Sequence, residues 1–263
     1  MLTLRLTLWT SLLAKDINMD DLTNRQTDVL RALIREYTES GLAVGSEILE
    51  KKYKLGVSPA TIRSEMVELA KKGYIKKDYF SSGRIPSAKG FRFYIKHLMK
   101  EKDLSTGEEV AYKNGIWDER ADDQKMLSHA TKVLAQKTGL LSIAVTSTGE
   151  VYYAGVGNLL SIPEFFNLDV SRALFKKLDE LQYWGKILTK VQSDQDEVYI
   201  MLGEDDFSDP VYETCASILG DINTEKMKGF IGVLGPKRMY YESVTPQVKY
   251  FAHLIESIIN DKG

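Results

Sequence analysis

Ser58-Pro59 pins the fold of this chain at one point more tightly than any other pair of residues in it. A serine hydroxyl just ahead of a proline can cap the open amides of a helix start, and proline, which has no amide to satisfy, suits the first helical position. From there Ile62, Met66 and Leu69 recur at helical spacing, and Gly73 ends the pattern. Upstream, Thr23-Asn24-Arg25-Gln26 has the form of a capping box. It opens a predicted helix with Val29, Leu30, Leu33, Ile34 and Tyr37 on its apolar face and Gly41 as its stop. Between the two, Ser46 is expected to cap a short helix, Glu47 to Lys54, with Ile48, Leu49 and Tyr53 inward, before a tight turn at Leu55-Gly56-Val57.

Two helices joined by so short a turn, the second opening with small hydroxyl residues and an arginine, are what a reader of the DNA major groove requires. Small side chains let a helix approach base edges, and arginine reaches guanine or phosphate. Ser58, Thr61, Arg63 and Ser64 are therefore the candidate contacts on this helix. Beyond it, Tyr74-Ile75-Lys76-Lys77 reads as a strand and Ser81-Ser82-Gly83-Arg84 as a flexible basic tip. Ile85-Pro86 closes the excursion, and Ser87 can cap a fourth helix running to Lys100. Strand, tip and return make a wing. Lys76, Lys77, Ser82, Gly83 and Arg84 are its candidate backbone contacts, through side-chain charge or the amides of the serine-glycine turn.

Charge divides the chain the same way. The formal net charge is −2, yet residues 20–100 carry 16 Lys and Arg against 10 Asp and Glu, whereas residues 101–263 carry 17 against 26. A basic half beside an acidic half points to a polyanionic partner for the first and repulsion of it by the second. The single cysteine, Cys215, cannot form an intramolecular disulfide, and the three histidines are scattered, so neither a disulfide scaffold nor a metal cluster is expected. A reducing cytoplasm fits. The apolar run Leu6 to Ala14 behind Arg5 has a signal-like look but falls far below the length needed to span a bilayer. Residues 1–19 are read as a flexible extension with Met19 a candidate start, and no membrane association is expected.

The second half opens on a polar, charged stretch, residues 101–122, read as a linker. A helix is expected at Asp123 to Lys137, then a hairpin of two strands, Leu140 to Thr146 and Val151 to Val156, joined at Ser147-Thr148-Gly149-Glu150. Val170 to Trp184 has helical periodicity. Further strands are expected at Glu197 to Leu202, Cys215 to Ile222 and Gly229 to Leu234, and a final amphipathic helix at Pro246 to Asn260. The sum is an α+β chain, a winged helix-turn-helix at 20–100 followed by an α/β domain with an antiparallel sheet at 123–263.

Nothing in this half signals catalysis: no glycine-rich phosphate loop after a strand, no nucleophile elbow and no His-Glu metal motif. Gly203-Glu204-Asp205-Asp206 reads as a solvated turn, and Cys215 as a small buried hydrophobe. Tyr152, Tyr153, Phe165 and Phe166 are aromatics more typical of a core than of a ligand pocket. The chain is not expected to be an enzyme or to carry a cofactor or a metal.

Ser58-Pro59-Ala60-Thr61-Ile62-Arg63 and Ser82-Gly83-Arg84-Ile85-Pro86 closely resemble the heat-inducible transcription repressors of the HrcA family. So do Leu22 to Gln26, Gly45-Ser46, Gly90 to Tyr94 and Gly232 to Met239. The resemblance implies a homodimeric repressor that binds an inverted-repeat operator ahead of chaperone operons, releases it on heat shock and depends on the chaperonin. It also implies a GAF-like C-terminal domain. The chain departs from the family pattern at Ser64, where asparagine is usual, and at Tyr79-Phe80, in place of a polar pair. Leu141 to Val145, Val151 to Val156 and Asn158 to Phe165 follow one another with no room for the dimerising subdomain that the family inserts there. Two other classes remain open: a ligand-sensing winged-helix regulator of other genes, and a protein-interaction module.

Overall fold

A computed structural model describes residues 21–78, 81–194, 196–207 and 209–261. The expectations for residues 1–19, including the apolar run and Met19, and for Tyr79-Phe80 lie outside the described residues. The chain divides into two compact units that meet between Leu98 and Met99.

In the first unit, α1 (Asn24–Ser40) begins at the expected capping box. The Thr23 hydroxyl accepts from the Gln26 amide, and the Gln26 side chain accepts from the amide of Thr23. Gly41, at φ 67°, closes the helix in the left-handed conformation that favours glycine. α2 (Ser46–Tyr53) differs from expectation in its start. Gly45 is the capping residue and makes no side-chain cap, while Ser46 is already helical and buried. Its apolar face is narrower too, since Leu49 is fully buried but Ile48 is 40% exposed. α3 (Pro59–Lys71) follows the sequence closely. The Ser58 hydroxyl accepts from the Thr61 amide at 3.2 Å, Pro59 opens the helix, and Ile62, Met66 and Leu69 are buried.

β1 (Ile75–Lys77) and β2 (Arg84–Pro86) form an antiparallel hairpin in which Lys76 faces Ile85 and Lys77 faces Arg84. Val44, between α1 and α2, adds a third rung, exchanging both backbone hydrogen bonds with Arg84 at 2.9 and 3.0 Å. α4 (Ala88–Phe93), capped by Ser87, continues as a π-helical turn at Tyr94–Leu98. It ends short of the expected Lys100 because Leu98 is the last residue that reaches the core.

The second unit is a five-stranded, wholly antiparallel sheet in the order β4-β3-β7-β6-β5. Its strands are β3 (Leu141–Thr146), β4 (Val151–Ala154), β5 (Val198–Leu202), β6 (Cys215–Asn223) and β7 (Lys228–Pro236). Both faces are covered. One carries α6 (Asp123–Thr138) and α11 (Tyr241–Asn260). The other packs α8 (Leu168–Leu178) and α9 (Leu181–Ser193) over a core that includes Ile143, Phe165, Trp184 and Phe230. Burial from two sides is why β3 is buried at every residue instead of alternating.

Several expectations need correction. Residues 101–122 are not a linker but hold α5 (Thr106–Trp117), opened by a Ser105/Glu108 capping box and anchored by buried Tyr112 and Ile116. The second hairpin strand stops at Ala154, because Gly155, at φ 87°, turns the chain into α7 (Val156–Leu160); a Cβ there would lie 2.4 Å from the Leu140 carbonyl oxygen. The periodicity from Val170 to Trp184 belongs to two helices, α8 and α9, broken at Asp179-Glu180. Gly203 to Phe207 is a short helix, α10, in place of a turn, with the Asp206 carboxylate accepting from the Leu202 amide. α11 starts five residues before Pro246. The Glu242 carbonyl that this proline leaves without its helical donor accepts instead from the Lys102 amide at 2.8 Å.

Candidate nucleic-acid interface

α3 presents one continuous exposed stripe. Ala60, Arg63, Ser64, Val67, Glu68 and Lys71 recur three and four residues apart, opposite the buried Ile62, Met66 and Leu69. Arg63 makes no hydrogen bond or ion pair with any described residue. Glu68 is neutralised by Lys71 at 2.7 Å. Thr61 is turned aside: its hydroxyl lies 3.1 Å from that of Ser58, so both serve the helix start before they can serve a ligand. At the same end, Lys51 and Lys54 line an open groove with Glu50 and with Leu55, Gly56, Val57 and Ser58. Those two lysines were not among the sequence-predicted contacts. The signal was available in Lys51-Lys52-Tyr53-Lys54, a basic run directly before the turn.

The middle lysine of that run is engaged elsewhere. Lys52 Nζ donates to both carboxylate oxygens of buried Glu36 at 2.8 Å, and the Tyr53 hydroxyl donates to the same group at 3.2 Å. The hydrogen bond to Glu36 raises the Lys52 ammonium above the usual lysine range, and burial, reinforced by Glu39 and Glu36, pushes the Tyr53 phenol up. The end of α3 is held to the start of α1 in the same manner. Glu65 accepts from Gln26 Nε2 at 3.2 Å and pairs with Arg25, while Lys72 donates to Gln26 Oε1 at 2.9 Å. Tyr74, buried and donating to Asp21, has its phenol pushed up to about 12, chiefly by burial. These ties occupy Asp21, Glu36 and Glu65.

The hairpin places its residues unequally. Lys77 is exposed and has no partner among the described residues, Ser82 is exposed, and Lys76 is half-buried. Arg84 folds back on the tip, donating from Nη1 to the Ser82 and Gly83 carbonyl oxygens at 3.0 and 3.2 Å. Gly83 is not a flexible hinge. It is buried, its amide donates to Ser81 Oγ at 3.1 Å, and a Cβ would lie 2.8 Å from the Ala43 carbonyl carbon. Glycine is needed there because the backbone before α2 passes against the hairpin.

In the second unit no group of three or more His, Cys, Asp or Glu gathers to hold a metal among the described residues. The four aromatics do not converge on a pocket: Phe165 is core, whereas Phe166 is 68% and Tyr153 50% exposed. Cys215 is buried, which pushes its thiol up to about 12. The Gly232 to Met239 stretch is β7 and its exit, where Arg238 forms a two-pronged pair with Glu164, Nη2 to Oε2 at 3.1 Å. No described helix is long and apolar enough to cross a membrane.

This architecture has been seen before. A crystal structure of a hypothetical protein superposes with a TM-score of 0.76 at 18% identity, covering 92% of this chain and 100% of that one, which establishes the fold. Residues 66–245, more than half of the chain, match the family described as HrcA protein C terminal domain. The chain belongs to the HrcA family. Among its relatives, the heat-inducible transcription repressor HrcA of Pelotomaculum thermopropionicum is 38% identical over 125 residues, covering 48% of this chain and 36% of that protein. That of Desulforamulus reducens is 41% identical over 114 residues, covering 43% and 33%. These two matches thus span about a third of the relatives' length. The repressor of Carboxydothermus hydrogenoformans aligns at 25% identity over 340 positions, covering 91% of this chain and 98% of that protein.

Proposed function

We propose that the chain is a DNA-binding transcriptional repressor of heat-shock genes, with residues 20–100 as a winged helix-turn-helix and the second unit as a GAF-like regulatory and dimerisation domain. The observation that carries this reading is the exposed α3 stripe with Arg63, beside a hairpin that offers Lys77, both without a partner among the described residues. Three helices with Val44 bridged to a two-stranded hairpin is the element order of a winged helix. Family membership, and relatives named as heat-inducible repressors, supply the regulated class. Arg63 and Ser64 approach base edges. Lys77, Arg84 and Lys76 fix the hairpin on phosphates, with Ser82 donating at the tip and Gly83 shaping it. Ser58 and Thr61 present the amide end of α3 to the backbone.

One such unit makes a modest interface, so two copies on an inverted repeat supply the specificity, and loss of the dimer or of the fold on warming releases the operator. The alignment with the Carboxydothermus relative is longer than the chain's 263 residues. That fits a chain without the inserted dimerising subdomain, which pairs through other surfaces. The protein acts in the cytoplasm and is kept active by the chaperonin. Fluorescence anisotropy of the full chain tests the reading. The duplexes are an inverted repeat taken from upstream of the host's chaperone operon and a scrambled control, titrated across salt with and without chaperonin. Selective binding that weakens steeply with salt supports it. Equal weak affinity for both duplexes, chaperonin present, contradicts it.

A further inference from the structure

Val67 is the one large apolar side chain on the α3 stripe. Val67 lies in the middle of it, 40% exposed, and core packing from this helix comes from Ile62, Met66 and Leu69 on the opposite side. A branched valine at an exposed interior helical position forms helix less well than alanine. Its apolar surface therefore stands on the helix at a cost to the helix itself.

We propose that Val67 is a specificity-determining contact that packs on the 5-methyl group of a thymine in the major groove; this rests on the reading of α3 as the helix that enters that groove. Thymine is the base that suits it. In the major groove it presents an apolar methyl group, whereas the other bases present donors and acceptors that valine cannot satisfy. Charge complementarity favours DNA as the occupant of this face. Arg63, one turn earlier, has no partner among the described residues, and Glu68, the acid on the stripe, is neutralised by Lys71. Spacing then narrows the base. Four residues of helix rise about 6 Å, and bases along one strand are about 3.4 Å apart. The thymine therefore lies within about two steps of the nucleotide that Arg63 contacts.

The test uses the full chain and a duplex that it enriches from a random-sequence pool. Each thymine of that duplex is replaced in turn by deoxyuridine, which removes the 5-methyl group and keeps the base pair. At either of one pair of symmetry-related positions, replaced singly, this change is expected to weaken wild-type binding about fourfold, the worth of one methyl group taken out of water. Val67→Ala, which favours helix and removes the contact from both protomers, is expected to weaken binding of the unmodified duplex by about the square of that factor and to be indifferent to deoxyuridine there, with a thermal midpoint no lower than that of the wild type as the folding control. The proposal is overturned if no position affects the wild type, or if Val67→Ala loses the same factor wherever the wild type does. Enrichment of no duplex at all removes the DNA-binding reading and this contact with it. Enrichment followed by a flat methyl scan removes Val67 alone.

Discussion

Replacing Ser58 separates the two tasks assigned to the start of α3. The Ser58 hydroxyl accepts from the Thr61 amide at 3.2 Å, and Pro59 has no amide, so this one bond satisfies much of what the first turn leaves open. Ser58 is exposed. Water therefore replaces part of the lost bond in Ser58→Ala, which places the loss near the middle of the range for helix caps, about 1 kcal/mol. For a unit of this size that lowers the melting midpoint by roughly 5 °C. Ser58→Asp keeps an acceptor, and aspartate caps as well as serine does, so stability is expected to stay within a few tenths of a kcal/mol. Its added charge, however, sits where a phosphate is placed, and DNA binding is expected to weaken with a salt dependence shallower by about one unit. Thermal melting and anisotropy across salt, run on both variants, measure the two effects. If Ser58→Asp melts as low as Ser58→Ala, the hydroxyl is not acting as a cap. If it binds DNA like the wild type, the start of α3 does not face phosphates.

Arg63→Ala is expected to weaken specific binding by about 1 to 3 kcal/mol without moving the melting midpoint; unchanged affinity in the anisotropy titration would remove Arg63 from the interface. Gly90→Ala puts a Cβ 2.1 Å from the Tyr74 carbonyl oxygen, a backbone clash with no side chain to yield. It should destabilise the first unit by about 2 kcal/mol or more, and a wild-type urea midpoint would contradict the packing described. Glu108 is held below the usual carboxylate range by the Ser105 hydroxyl and backbone amide. Its contribution is therefore present above the ordinary glutamate value and lost as pH falls through the lowered one. Amide exchange in the first turn of α5 should quicken on acidification beyond the intrinsic pH effect, and Glu108→Gln should remove that excess; equal responses in both proteins would refute it. Arg238→Ala leaves a largely buried Glu164 without its partner and should cost about 1 to 2 kcal/mol after allowance for the remaining solvent access; an unchanged melting curve would show the pair to be incidental.

What could be read in the sequence was local. Thr23 with Gln26, Ser58 with Pro59, and Gly41 at a helix end all act through residues within one turn, and each stands where its pattern implies. The central strands were visible as apolar runs because both faces of the sheet are covered. α5 was missed although Ser105 and Glu108 spell the same capping box as α1. Its few buried anchors, Tyr112 and Ile116, are diluted by charge, and the polar composition outweighed the cap. The role of Gly83 could not be read at all, since the reason for it is the backbone of Ala43, forty residues earlier and adjacent only in the fold. The same holds for the stripe on α3. Sequence offered Thr61 and Arg63 equally, and only the geometry separates a hydroxyl turned to its own cap from a cation left unpaired.

DNA is proposed to lie against α3 and the hairpin of the first unit. Hydrogen–deuterium exchange of the full chain, with and without a saturating selected duplex, tests it most directly. Slowed exchange is expected to concentrate in peptides covering residues 54–68 and 76–84, with peptides from β3, β6 and β7 unchanged by direct contact. Protection confined to residues 99–263, with α3 and the hairpin unaffected, would contradict it.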